Sequence, residues 1–170
     1  DVTERSYTEF PSLLDELIQN KCYAVFLDGV EDPFNFGYSI RNLFAFGCRH
    51  FIVPSRNWMS SANVVAKSSA GASELCEIAT IENDLTAVSL LKEKKIPIVC
   101  SALSSISIPV FEFSPPFPFV LFIGGEKRGI SKDFMDNANY VVHIPYANKD
   151  AKYSLPTASC AAIFGSYLSN

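Results

Sequence analysis

Residues 23–27, Tyr-Ala-Val-Phe-Leu, form an unbroken apolar run that meets a turn-rich stretch, Asp28-Gly29-Val30-Glu31-Asp32-Pro33. A run of that length bounded by turn residues reads as a fully buried strand. It cannot extend through Pro33, which has no N–H to give to a sheet. Asn35 stands where the N-cap of a following helix belongs. A 3.6-residue period then puts Ile40, Leu43, Phe44 and Gly47 on one face, and Gly47 marks the stop.

Arg41 falls outside that face, on a flank between Gly37 and Ala45 at i−4 and i+4. Both neighbours are small, which leaves the guanidinium room and lets another backbone come close. An arginine on an open flank near a strand end and a helix start suits an anion or phosphate. A surface arginine paired with Glu31 or Asp32 fits the same residues, and this stretch does not choose between the two.

The rest of the chain repeats the alternation. Residues 10–18 carry a stripe of Leu13, Leu14, Leu17 and Ile18 behind Pro11. Strands are predicted at 51–53, 74–80, 96–100, 119–123 and 140–144. Helices are predicted at 62–68, 84–93 (Leu85, Val88 and Leu91 inward), 131–135 behind a Ser131 cap, and 155–168 with Pro156 in its first turn. Residues 55–61 are polar with Trp58 and Met59 embedded, and the small residues 68–73 suit a tight turn, a close helix contact or a backbone approach to a ligand, with composition favouring packing. Strands alternating with helices imply an α/β fold with a mainly parallel sheet. Residues 1–21 form a lead-in with a short helix, and residues 22–170 form the principal domain.

Composition limits the partners. The chain has 170 residues, 48% hydrophobic and 19% charged, enough for one well-buried core. No apolar run approaches the roughly 18 residues that span a bilayer, and no secretory signal opens the sequence. It begins at Asp1 without an initiator Met, as a fragment of a longer chain would. Five scattered cysteines, odd in number and without a C-x-x-C pair, point to a reducing, cytoplasmic setting and away from a metal site. Net charge is −4. That opposes a general nucleic-acid coat but leaves room for a local basic site built from Arg41, Lys67, Lys127 and Arg128.

In parallel sheets, ligands bind beyond the C-terminal strand ends. Three loops lie there: 28–35, 101–103 and 124–131. The last, Gly-Gly-Glu-Lys-Arg-Gly-Ile-Ser, lacks the phosphate-loop spacing, yet its glycines let backbone amides face a ligand. Neither a G-x-G-x-x-G nor a G-x-S-x-G element is present, and His50 and His143 both read as structural.

Taken together, three stretches resemble the SpoU-type (TrmH-like) RNA ribose 2′-O-methyltransferases of the SPOUT superfamily. They are Asp32-Pro33-Phe34-Asn35-Phe36-Gly37 through Arg41 to Gly47, then residues 119–131 followed by Val142-His143-Ile144-Pro145, then Ser154-Leu155. Lys67-Ser68-Ser69-Ala70-Gly71-Ala72 is similar to a further family segment. The resemblance implies an α/β-knot fold whose C-terminal chain threads a loop as a deep trefoil knot. It implies a homodimer, S-adenosylmethionine as cofactor, and methyl transfer to a ribose 2′-OH of tRNA or rRNA.

By position, the resemblance assigns cofactor contacts to Ser101, Ala102 and Leu103, to Ile123, Gly124, Gly125 and Gly129, and to Ile144, Pro145, Ser154 and Leu155. It casts Arg41 as the essential arginine, with Asn35, Glu126 and Ser154 completing the catalytic set. The high intrinsic pKa of arginine makes a general base demanding, so Arg41 is expected to hold a phosphate and orient the 2′-OH. Glu126 is expected to pair with a cation across the site. The chain departs from the family where Ser-Leu-Asn is usual and Ser154-Leu155-Pro156 stands instead. Proline brings neither the amide side chain nor an N–H. A second reading is therefore a member that binds RNA or cofactor without turnover.

Overall fold

The computed structural model describes residues 5–55 and 61–169. The positions of Trp58 and Met59, and residues 1–4, lie outside the described residues. The chain runs α1 (Phe10–Asn20), β1 (Tyr23–Asp28), α2 (Pro33–Ala45), β2 (His50–Pro54), α3 (Ala62–Ser68), β3 (Glu77–Ile81), α4 (Asp84–Glu93), β4 (Ile98–Ser101), β5 (Ile108–Pro109), β6 (Phe119–Gly124), α5 (Lys132–Asp136), β7 (Tyr140–His143) and α6 (Thr157–Leu168). Among the described residues, seven strands form one sheet in the order β3-β2-β1-β6-β4-β7-β5, and the pairings between them are all parallel.

The two faces of this sheet follow from the period-2 alternation of its strands. Tyr23, Val25 and Leu27 of β1 join Phe119, Leu121 and Ile123 of β6 on one face, packed against α2, α3 and α6. Ala24, Phe26, Val120 and Phe122 face the other way, towards α1, α4 and α5. There Phe26, Phe122 and Phe134 form an aromatic cluster with centroids 4.4–4.9 Å apart. Both faces are covered, so β1 up to Leu27 and β6 are continuously apolar rather than alternating with polar residues. Leu13, Leu14 and Leu17 of α1 are fully buried in this second layer, each worth about 1.5–3 kcal/mol.

Several expectations shift in detail. The N-cap of α2 is Asp32, whose side chain accepts the Phe34 N–H at 3.0 Å, with Pro33 in the first turn; Asn35 lies inside the helix. The helix ends at Ala45, and Gly47 (φ 96°) takes the left-handed step just beyond the Phe46 cap. Ile18 and Leu85 are 42% and 56% exposed, so the apolar stripes of α1 and α4 are narrower than their sequences suggest. On α4, Ala87 joins Val88 and Leu91 inside. Ser131 is the N-cap residue of α5, but its side chain makes no capping hydrogen bond; its backbone N–H is given to Asp28 Oδ2 at 2.7 Å. Pro156 is the N-cap of α6 rather than part of its first turn, and β5 was not foreseen.

Crossovers set where a ligand can lie. From β1 the chain steps outward through β2 to β3, then returns past β1 to build β4 to β7 on its other side. β6 then inserts between β1 and β4. This reversal of direction opens a crevice above the carboxyl ends of the central strands. At the far edge, Thr8 bridges Ala79 in parallel and its N–H meets Ile78 O at 2.9 Å, which covers part of β3's free edge. No helix among the described residues is long and apolar enough to cross a membrane.

Candidate active site

A cavity of about 790 Å³ lies over the carboxyl ends of β4, β6 and β7. Ser101, Ala102 and Leu103 line it from the end of β4. Ile123, Gly124, Gly125 and Gly129 line it from β6 and the loop beyond, and Ile144, Pro145, Ser154 and Leu155 from the segment between β7 and α6. All the positions expected to touch a cofactor are thus gathered around one space, although they come from three separate parts of the chain.

Close backbone packing shapes the glycine loop. The Gly125 N–H reaches Asp28 O at 2.7 Å, which extends the β1–β6 pairing by one bond, and the Gly129 N–H returns to Gly125 O at 2.8 Å. A Cβ on Gly125 would lie 2.1 Å from Gly29 O, and one on Gly124 would lie 2.5 Å from the Gly129 carbonyl carbon. Gly129 itself holds φ at 67°, which a side chain would strain. Asp28, only 8% exposed, fixes the far end of the loop through Ser131. Arg128 ties the loop to the β1–α2 turn through Glu31, at 3.2 Å.

The expected catalytic residues divide into two groups. Glu126 and Ser154 line the cavity, and Glu126 has no ion pair among the described residues. Arg41 and Asn35 lie on α2, outside the cavity lining. Arg41 is exposed. Neither carboxylate offered as its local partner serves it: Glu31 holds Arg128 and Asp32 caps α2. The space beside it at Gly37 is already taken, since α3 packs there and a Cβ on Gly37 would lie 1.7 Å from Ser68 Oγ. Of the suggested basic group, Lys67 lies on α3, while Lys127 and Arg128 lie on the glycine loop.

Sequence reasoning passed over several lining residues. His143, read as structural, borders the cavity, and its Nδ1 is buried without a hydrogen-bond partner among the described residues. Its place at the end of β7 was the available signal. His50 lies at the opposite end of the sheet, where it bonds Glu16 at 3.2 Å and approaches Cys22 Sγ at 3.8 Å, a structural role. Tyr146, Lys149, Lys152 and Tyr153 also border the cavity. The Tyr146 hydroxyl accepts the Leu155 N–H at 3.0 Å.

Residues 23–165 match the SpoU rRNA Methylase family. The chain belongs to that family. An uncharacterized tRNA/rRNA methyltransferase of Archaeoglobus fulgidus is 28% identical over 94% of this chain and 70% of its own length. The 23S rRNA (guanosine-2′-O-)-methyltransferase RlmB of Blochmanniella floridana is 31% identical over 81% of this chain and 54% of its own. An AdoMet-bound rRNA methyltransferase from Sinorhizobium meliloti superposes with a TM-score of 0.80 at 23% identity, over 96% of this chain and 60% of that one. This last likeness establishes a shared SpoU fold. The chain spans only about 54–65% of the length of the RlmB relatives it matches.

Proposed function

We propose that this SpoU-family chain is the catalytic domain of an S-adenosylmethionine-dependent RNA 2′-O-methyltransferase acting on tRNA or rRNA in the cytoplasm. The observation that carries this reading is the cavity at the carboxyl ends of β4, β6 and β7, whose walls bring together the 101–103 segment, the glycine loop after β6 and the 142–155 segment. The residues present suit the cofactor. The 101–103 and 123–125 segments line the space, and Gly124 and Gly125 lie where side chains would collide with neighbouring backbone. When bound, S-adenosylmethionine supplies a methyl group already activated by its sulfonium, so the protein's task is to position the acceptor.

Arg41 is the acceptor-side residue. Its guanidinium is exposed and has no hydrogen bond or ion pair among the described residues, so its fork is available for a phosphate. It lies outside the cavity of its own subunit. We infer a homodimer in which the α2 face brings Arg41 and Asn35 towards the cavity of the partner copy. Phe34, Tyr38 and Phe46, exposed on and just after the same helix, give that face the apolar area an interface needs. The C-terminal segment is proposed to thread the family's trefoil knot, which would hold residues 144–155 against the glycine loop. Pro156 leaves the entry to α6 intact: its carbonyl accepts the Ser159 and Cys160 N–H groups at 2.9 and 3.1 Å.

The test incubates the protein with methyl-labelled S-adenosylmethionine and total tRNA or rRNA, then maps ribose methylation. Methylation that Arg41→Ala abolishes is the expected result. Tight binding of S-adenosylhomocysteine with no methylation of either RNA overturns the catalytic reading.

A further inference from the structure

We propose that the 146–155 segment is a subsite for single-stranded RNA at the cavity mouth, with Lys149 and Lys152 holding backbone phosphates and Tyr153 stacking on a base. The proposal rests on the methyltransferase reading and deepens it, by assigning the substrate to Lys149, Lys152 and Tyr153, which lie outside α2 and are not among the expected cofactor contacts.

The segment is a closed loop rather than a loose connection. Its ends are fastened by the Leu155 N–H to the Tyr146 hydroxyl at 3.0 Å. Inside it, Asn148 Oδ1 accepts the Asp150 N–H at 2.9 Å, and Asn148 O accepts the Ala151 N–H at 3.3 Å. On this frame Lys149, Lys152 and Tyr153 all border the cavity while remaining exposed. Tyr153 is 69% exposed. Neither lysine has an ion pair or hydrogen bond among the described residues.

Local charge runs against that of the chain. The whole sequence carries −4, yet the cavity border holds Arg128, Lys149 and Lys152 against the single carboxylate of Glu126. Arg128 is engaged by Glu31, and Asp150 offsets part of the loop's charge. The two free ammonium groups beside an open aromatic ring therefore define the site. Unpaired cations that track a backbone, together with a ring on which a base can stack, are the two parts that single-strand binders combine. A paired helix hides its base faces and offers the ring nothing to stack on, so the preferred substrate is an unpaired loop or end. Phosphate oxygens on Lys149 and Lys152 would hold the strand while the adjoining nucleotide reaches the methyl donor.

The test is fluorescence anisotropy of the full chain with a labelled single-stranded RNA of mixed sequence and with its duplex, across a salt series and with S-adenosylhomocysteine present. Calorimetry with S-adenosylhomocysteine alone runs in parallel. The expected result is a preference for the single strand. Lys149→Ala/Lys152→Ala should lower the salt slope by about 1.4, from roughly 0.7 per phosphate contact on a single strand. Tyr153→Ala should weaken binding roughly tenfold or more, and Tyr153→Phe should keep it. Unchanged RNA affinity and salt slope in both sets of variants overturns the proposal. Lysine variants that lose S-adenosylhomocysteine but keep RNA also overturn it, by placing those cations on the cofactor's carboxylate. If the wild type binds S-adenosylhomocysteine but no RNA, the subsite falls while the cofactor reading stands. If it binds neither, both fall.

Discussion

Gly37 of α2 and Ser68 of α3 meet so closely that a Cβ on Gly37 would lie 1.7 Å from Ser68 Oγ and 2.8 Å from Ser68 Cβ. Ser68 Oγ is held there by the Val64 carbonyl at 2.8 Å. Two motif segments far apart in sequence thus share one contact, and the small residues of both are explained by helix–helix packing. Gly37→Ala should destabilise the protein by about 1–3 kcal/mol through overpacking. Ser68→Gly in the same chain should restore part of that loss, and a urea-denaturation double-mutant cycle reads the coupling.

Gly125 should tolerate a side chain even less, but with a local outcome. Its missing Cβ would lie 2.1 Å from the Gly29 carbonyl oxygen, a backbone atom that cannot rotate away. Gly125→Ala should displace the 124–131 loop and weaken S-adenosylhomocysteine binding at least tenfold in calorimetry. The buried layers around β1 and β6 should keep most of their thermal stability. Wild-type affinity in this variant would show that the loop does not form the cofactor wall.

Arg41 should separate activity from stability. It is exposed and free of ion pairs among the described residues, so Arg41→Ala should change unfolding free energy by less than about 0.5 kcal/mol. Ribose methylation should vanish. Arg41→Lys keeps the charge but loses the planar fork, and should recover little turnover if a phosphate is gripped by two N–H groups. Full activity in the lysine variant would reduce the role to charge alone.

Burial pushes the thiols of Cys48 and Cys100 up to about 12 and that of Cys76 to about 11, from an ordinary 9.0. Between the unfolded and folded values the unfolded chain has lost protons that the native state retains. Stability should therefore be fully present below about pH 9 and fall as pH rises towards 11–12. At neutral pH the three thiols should resist alkylation until urea opens the core, because only the thiolate attacks. Mass spectrometry after iodoacetamide labelling with and without urea checks that dependence.

Much of the fold was legible because burial on both faces leaves a local trace. The runs at β1 up to Leu27 and at β6 are continuously apolar, and turn residues stop them where the strands stop. The order of the glycine-bearing loops and of the Ser154-Leu155 step likewise named the cavity walls. Misreadings occurred where a local pattern admitted more than one solution. Asp32 rather than Asn35 caps α2, and Leu85 lies outside the buried face of α4 although its spacing would admit it.

The sequence by itself determined most of the strands and helices, though not β5, and which loops could border a ligand, because hydrophobic period and turn chemistry are written in neighbouring residues. Only the tertiary structure decided that β6 inserts between β1 and β4, that Asp28 anchors the glycine loop, and that Lys149, Lys152 and Tyr153 stand at the cavity mouth. Those relations join residues tens of positions apart through strand order and backbone contacts, and no local pattern encodes such distances.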